Sequence, residues 1–314
     1  MEQKYKYFIN YSLIFTACCL ILSCSKPKDN AWSGTITVAS DESMKPMVDQ
    51  ICDAYTGISQ DAHFKITYKP ERETINLLLN DQARVVFTAR ELSPIEQKKL
   101  KERGVRYNPQ PIATDGVALI TNKQNTDSLI TMSELTDIFS GKIKLWSELK
   151  GRKQTGKIVL VFDNANASNL DFMIQKFGIK DISKLNISAA GSNPKVIEYV
   201  RQNPYAIGFI GVNWISDGES PLSIQMAKGL RVMAVAEKEK PTREDYFQPS
   251  QRSLGLQDYP LRRKVYVISQ EMYAGLGSGL VNYITRDSGA LLVEKCGLWP
   301  TVPFNREITI KKKI

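Results

Sequence analysis

The stretch Ile130-Thr-Met-Ser-Glu-Leu-Thr-Asp-Ile-Phe-Ser-Gly-Lys-Ile-Lys-Leu-Trp-Ser-Glu-Leu149 is the part of the sequence around which the rest can be placed. Thr131 and Glu134 have the Thr-x-x-Glu spacing of a capping box, in which each side chain satisfies a free backbone N–H of the first helical turn. Leu135, Ile138 and Phe139 follow at helical spacing and make one face apolar. Gly141 then supplies the left-handed residue that commonly ends a helix. Taken alone, this is a short amphipathic helix packed on a core.

Upstream of it, strand-like and helix-like segments alternate. Gly34 to Ala39 is β-prone and leads through the polar run Ser40-Asp-Glu-Ser43 into a helix from Pro46 to Tyr55. Such a strand–loop–helix start presents free N–H groups and the positive end of a dipole, the generic anion site. Lys65 to Tyr68 is a second strand, Glu73 to Leu79 a helix, and Val85 to Phe87 a third strand that enters Thr88-Ala-Arg-Glu-Leu92. Ser93 caps the next helix, with Pro94 in its first turn. Ala113 to Asn122 is a long β-prone run with an Asp-Gly kink, placed as a strand passing from one lobe to another.

Downstream, Ile158 to Phe162 reads as a buried strand, followed by Asp163 to Asn169 and a helix from Leu170 to Phe177. Asn193 caps and Pro194 begins a helix running to Gln202, and Pro204 to Gly211 is a strand returning to the first lobe. Tyr259 to Ile268 is a strand, and helices at Gly279 to Ile284 and Gly289 to Lys295 close the chain. Strands alternating with helices imply α/β architecture with parallel sheets and crossover connections.

The 314 residues are enough for a core that divides in two. At 42% hydrophobic and 24% charged the chain has an ordinary globular composition. Its net charge of +9 suits an anionic partner, but the Lys and Arg residues are scattered among acids, apart from Lys311 to Lys313. No stacking aromatics are interleaved with them, which argues against nucleic acid. The single histidine, His63, excludes most His-based triads and the usual zinc sites. There is no Gly-x-Ser-x-Gly elbow, no P-loop and no metal-ligand spacing, so neither an enzyme nor a cofactor is expected.

Lys4 and Lys6 precede an apolar run from Leu13 to Leu22, the length of a signal-peptide core and too short to span a membrane. It ends Ile21-Leu22-Ser23-Cys24, which resembles the lipobox of bacterial lipoproteins. Residues 1–23 are thus expected to be a signal peptide, with Cys24 lipidated and 24–33 serving as a tether. Cys52 and Cys296 would remain in the folded part, either as one disulfide or as buried free thiols.

The word order of the opening stretch, Asp-Ile-Phe-Ser-Gly-Lys-Ile at 137–143 with Trp146 following, resembles the periplasmic phosphate-binding proteins of ABC transporters. Six further segments fall in the family's order. They are Val38 to Pro46, Thr88 to Glu96, Ala113 to Ala118, Asn203 to Ile210, Tyr259-Pro-Leu-Arg-Arg263 and Asp287-Ser-Gly-Ala290. The resemblance implies the type II periplasmic-binding-protein fold: two α/β lobes joined by crossing strands, with the ligand in a hinged cleft. It implies one lobe of 34–115 plus 213–314 and a second of 116–212. It also implies phosphate or another small oxyanion as ligand, an ABC transporter permease as partner, and a lipid-anchored place at the bacterial cell envelope.

Ser43, Thr88, Arg90, Ser168 and Asn169 are the ligand-binding residues the resemblance suggests, with Arg90 as the compensating cation. Plain N-capping is the competing role for Ser43 and Ser168. Where the family carries Gly-Ser-Ser-Thr this chain has Ser40, Asp41, Glu42 and Ser43, and Asp163 stands at the family's usual arginine. A carboxylate 4 Å from an anion opposes it by about 4 kcal/mol at an effective dielectric of 20, roughly three decades of affinity. The second expectation is therefore a binding-protein scaffold that has lost phosphate and holds another solute or an envelope partner.

Overall fold

The computed structural model describes residues 29–149, 151 and 154–302. The signal peptide, the lipidation site Cys24 and most of the tether lie outside the described residues. Twelve strands are described: β1 (Gly34–Asp41), β2 (Ala62–Lys69), β3 (Val85–Thr88), β4 (Gln110–Asn122), β5 (Leu129–Thr131), β6 (Val159–Phe162), β7 (Ile187–Ala189), β8 (Ala206–Gly211), β9 (Leu230–Val232), β10 (Ala234–Ala236), β11 (Arg262–Ser269) and β12 (Trp299–Pro300). The helices that matter below are α1 (Lys45–Ile58), α2 (Glu71–Leu79), α3 (Pro94–Glu102), α4 (Met132–Phe139), α5 (Ser168–Phe177) and α6 (Asn193–Gln202).

The main sheet runs in the order β2-β1-β3-β11-β4-β8-β6-β7, and β4 is the strand both halves share. Gln110 to Gly116 pair antiparallel with β11, while Val117 to Ile120 pair antiparallel with β8. The long β-prone run therefore forms one continuous strand through its Asp115-Gly116 step, and the molecule is a two-lobed α/β fold. Within each half the neighbours β1–β2, β1–β3, β6–β7 and β6–β8 are parallel, as crossover helices require. β9 adds to the far end of β4 at Ile120 to Asn122, and β10 pairs with β5. This puts 230–236 with the second sheet half, although the expected boundary assigned everything after 212 to the first lobe. Short three-residue strands carry too little alternation to be read from sequence.

The opening stretch folds as expected. The Thr131 hydroxyl accepts from Glu134 N at 3.0 Å and the Glu134 carboxylate accepts from Thr131 N at 2.8 Å. Such a cap stabilises by about 1 kcal/mol. Leu135, Ile138 and Phe139 are buried, and Gly141 has φ +76° just beyond the helix. Trp146 is fully buried, its indole N–H donating to the Tyr205 carbonyl at 2.9 Å. At α6 the cap is Ser192 rather than Asn193, which is instead the first helical residue. Cys52 and Cys296 are both free and buried, and burial pushes each thiol up to about 12.

Candidate functional site

The site is assembled where the two lobes meet. β1 ends at the fully buried Asp41, and one tight turn, Glu42–Met44, turns the chain into α1. Ser43 in that turn is buried. From the other half, α5 begins at Ser168, also buried. The two hydroxyl oxygens lie 3.1 Å apart. Between the lobes, β11 contributes Arg263, whose side chain is 2% exposed. Alternation along β11 aims Arg263 inward with Val265 and Val267, while Lys264 faces out.

Arg263 acts as a fork. Its Nη1 donates to Ser168 Oγ at 3.0 Å and its Nη2 to Ser43 Oγ at 2.9 Å. Its Nε donates to Asp115 Oδ2 at 3.0 Å, and Asp115 is fully buried. Both serine hydroxyls in turn donate to Asp41 Oδ1, Ser168 at 2.6 Å and Ser43 at close range. The Ser43 backbone N–H donates to the same oxygen at 3.0 Å. Asn213, at the end of β8, donates to the Ser43 carbonyl at 2.9 Å. Gly211 permits this close approach, because a Cβ there would sit 2.7 Å from that carbonyl oxygen.

Two further contacts bridge the lobes. Arg72 in α2 makes a bidentate pair with Asp171 in α5, at 3.0 and 2.8 Å. The Glu42 carboxylate accepts from the Asn193 backbone N–H at the start of α6, at 3.0 Å. A carboxylate at a helix N-terminus is favoured by the free N–H groups and the dipole.

The surroundings are acidic. Burial, then the charges of Asp41 and Glu42, push Asp163 up to about 8. Its Oδ1 is buried and has no hydrogen-bond partner among the described residues. Burial and Asp41 likewise push Glu71 up to about 7, against the pull of the Ala89 N–H, Arg263 and Arg90. Burial raises Glu42 as well, partly offset by its bonds to Asn193.

Of the residues expected from sequence, Ser43 and Ser168 come together and the other three do not join them. Arg90 is committed elsewhere: Nη1 and Nη2 donate to the two oxygens of Glu96 at 2.8 and 3.0 Å. Its Nε lies 3.5 Å from Glu71. No hydrogen bond joins Arg90 to Ser43 or Ser168 among the described residues; the cation that meets both serines is Arg263. The Thr88 hydroxyl donates to the Arg90 carbonyl at 2.7 Å, holding its own loop. Asn169 donates to the Phe209 carbonyl at 3.3 Å, and its buried Oδ1 has no partner among the described residues. The roles of Ser43 and Ser168 also separate. Neither serves as a side-chain N-cap: Asp41 caps the turn at Ser43, and α5 starts without a side-chain cap.

Two buried strand residues, Arg263 and Asp115, escaped the sequence reading. The available signal was phase: a charged residue in register with Leu261, Val265 and Val267 on a strand faces the core, and a buried charge needs a partner.

These features define a two-lobed α/β fold with polar groups gathered from both lobes. A family model described as the PBP superfamily domain matches residues 25–288, and the chain belongs to that family. Among its relatives, the phosphate-binding protein PstS of Staphylococcus epidermidis is 25% identical over 187 residues, covering 58% of this chain and 52% of that protein. PstS 2 of Streptococcus pneumoniae is 30% identical over 118 residues, 38% of either chain. The chain thus spans about half the length, or less, of the curated relatives it matches. A Clostridium perfringens protein solved with bound phosphate superposes with a TM-score of 0.71 at 19% identity, covering 86% of this chain and all of that one. An ABC-type phosphate transport receptor from Vibrio cholerae gives 0.61 at 19% identity, covering 84% and 99%. These two likenesses show the fold.

Proposed function

We propose that the chain is an extracytoplasmic solute-binding protein that captures phosphate or another small oxyanion between its lobes for an ABC transporter permease. The observation that carries this reading is the Arg263 fork, which holds one hydroxyl from each lobe. Hydroxyl and backbone donors backed by a guanidinium are the chemistry that recognises an oxyanion. The names of the staphylococcal and streptococcal relatives agree with it. Ser43 and Ser168 are the contact residues in this reading, with Arg263 added. Thr88, Arg90 and Asn169 support the loops beside them.

The lobes in this proposal are 34–115 with most of 213–314, and 116–212 with the strands at 230–236. The chain acts by binding, not by catalysis. It is held at the cell envelope by lipid on Cys24, and Cys24→Ala should release it from bacterial membranes or leave an uncleaved precursor. A soluble product cleaved at another position would overturn the anchor. Calorimetry with phosphate, sulfate and other oxyanions tests the ligand: phosphate should bind, and no heat from any oxyanion would sink the reading. The second reading, a scaffold holding another solute or an envelope partner, is favoured by the buried Asp163 with its unpartnered oxygen. The same titration decides between them.

A further inference from the structure

Asp41 does more than a cap requires. A turn needs one acceptor for the Ser43 N–H, and Asp41 supplies it. Yet the same oxygen also takes the Ser43 hydroxyl and, from the opposite lobe, the Ser168 hydroxyl at 2.6 Å. The proton directions follow from the two ends of the chain of bonds: Arg263 has donors only, and a carboxylate oxygen only accepts. Because Nη1 and Nη2 donate to the two serine oxygens, each hydroxyl is left to donate onward, and both point at Asp41 Oδ1. One carboxylate oxygen thus collects a backbone N–H and two hydroxyls that are backed by a guanidinium. This is the donor set an incoming oxyanion would use.

We propose that Asp41 is a tethered occupant of the anion seat, a built-in competitor that an external oxyanion must displace before it can bind. The inference rests on the reading of this junction as an oxyanion site and adds the residue that sets its affinity. Two details favour occupancy over a passive cap. The Ser168 bond joins the two lobes, 127 positions away in sequence, so the carboxylate holds the lobes together as a ligand would. And the second oxygen, Oδ2, is buried with no hydrogen-bond partner among the described residues. Leaving that oxygen without a donor costs stability. Asp41 therefore makes the protein a weak binder, and it favours ligands that offer more acceptor oxygens to the same donors than one carboxylate can.

The test is phosphate calorimetry on the wild type, Asp41→Asn and Asp41→Ala, with circular dichroism and thermal melts to show that each variant is folded. Asp41→Asn keeps an acceptor for Ser43 N–H and so guards the turn; Asp41→Ala empties the seat. Both should bind phosphate about a hundredfold more tightly than the wild type, because a competing negative charge has been removed from a buried site. Folded variants that bind no more tightly than the wild type, or that do not bind at all, overturn the proposal. Binding by the variants alone upholds it while defeating phosphate as the natural ligand. Equal binding by all three does the reverse. Should both variants unfold, the carboxyl-carbon NMR signal of Asp41 in the wild type decides: it should move on saturation with phosphate, and a signal that stays put overturns the proposal.

Discussion

Two arginines on neighbouring elements of the first lobe have opposite fates. Arg90 follows β3 in an accessible loop and looks from the sequence like a free cation. Its fork is closed on Glu96, and its remaining nitrogen faces Glu71. Arg263 lies inside a strand and looks like part of an ordinary charged run, Arg262-Arg-Lys264. It is buried and paired with Asp115 through Nε and Nη2, and Nη1 and Nη2 also reach a hydroxyl from each lobe. The difference teaches that a cation is available to a ligand according to what its fork already holds, and exposure is a poor guide. Hydrogen bonding to Glu96, then the nearby carboxylates, raises the pKa of Arg90 and binds it more firmly into its own loop.

Replacing the two arginines should therefore separate structure from binding, and the largest effect belongs to Arg263→Ala. It leaves the fully buried Asp115 without its partner, which destabilises a protein by about 3–5 kcal/mol. A denaturant melt measures this directly. Arg90→Ala should do less to the fold, about 1 kcal/mol, since its closest pair, with Glu96, is partly exposed and screened, and the buried Glu71 lies farther off at 3.5 Å and is pushed toward its neutral form. Equal losses would erase the contrast.

Asp163 sharpens the comparison through pH. Its carboxyl binds a proton in the folded state up to about 8, against 3.8 for the ordinary group. Between those values the native state holds the extra proton, so this group's contribution to stability falls as pH rises. Glu71, pushed up to about 7, acts in the same direction. The melting temperature should thus drop from pH 5 to pH 8, and Asp163→Asn should flatten that drop while raising stability at pH 8. A variant whose pH profile matches the wild type would show that Asp163 is ionised and solvated in solution.

A smaller effect belongs to Ser168→Ala. It removes the hydroxyl that the second lobe offers to Arg263 among the described residues, and phosphate affinity should fall about tenfold, as for one hydrogen bond to a charged group. Ser43→Ala should match it within about a factor of three, because the Ser43 backbone N–H remains. Loss from one serine alone would place the ligand on one lobe.

How much of this was legible beforehand depends on whether the signal was local. The capping box at Thr131 and Glu134 and the glycine after α4 are local patterns, and they fold as they read; the helices after Ser43 and around Ser168 form within two residues of their expected starts, but neither serine caps one. The shared strand β4 was legible from its long β-prone run at 113–122, and in the fold residues 112–122 are buried without a break. Arg90 is taken up mainly by Glu96, six residues on, a local pairing that the Ser-Pro-x-Glu helix start made readable. The contact of Asp41 with Ser168 is far apart in sequence, and nothing near Asp41 announces it. Arg263 could have been found from strand phase alone, since it shares the inward parity of Val265 and Val267. The expectation that Asp163 opposes an anion needs the same correction of scale: its carboxyl is held toward the neutral form, so at neutral pH it repels less than a full charge would.

The most direct measurement is phosphate titration calorimetry on the wild type, Arg263→Lys and Arg90→Lys. Both substitutions keep the charge and remove the planar fork, which is what distinguishes the two sites. If Arg263 is the cation of the site, Arg263→Lys should weaken binding by tenfold or more, about 1.4 kcal/mol, while Arg90→Lys should change it by less than about twofold. A wild type that binds and loses its affinity through Arg90→Lys, with Arg263→Lys unaffected, would contradict the account.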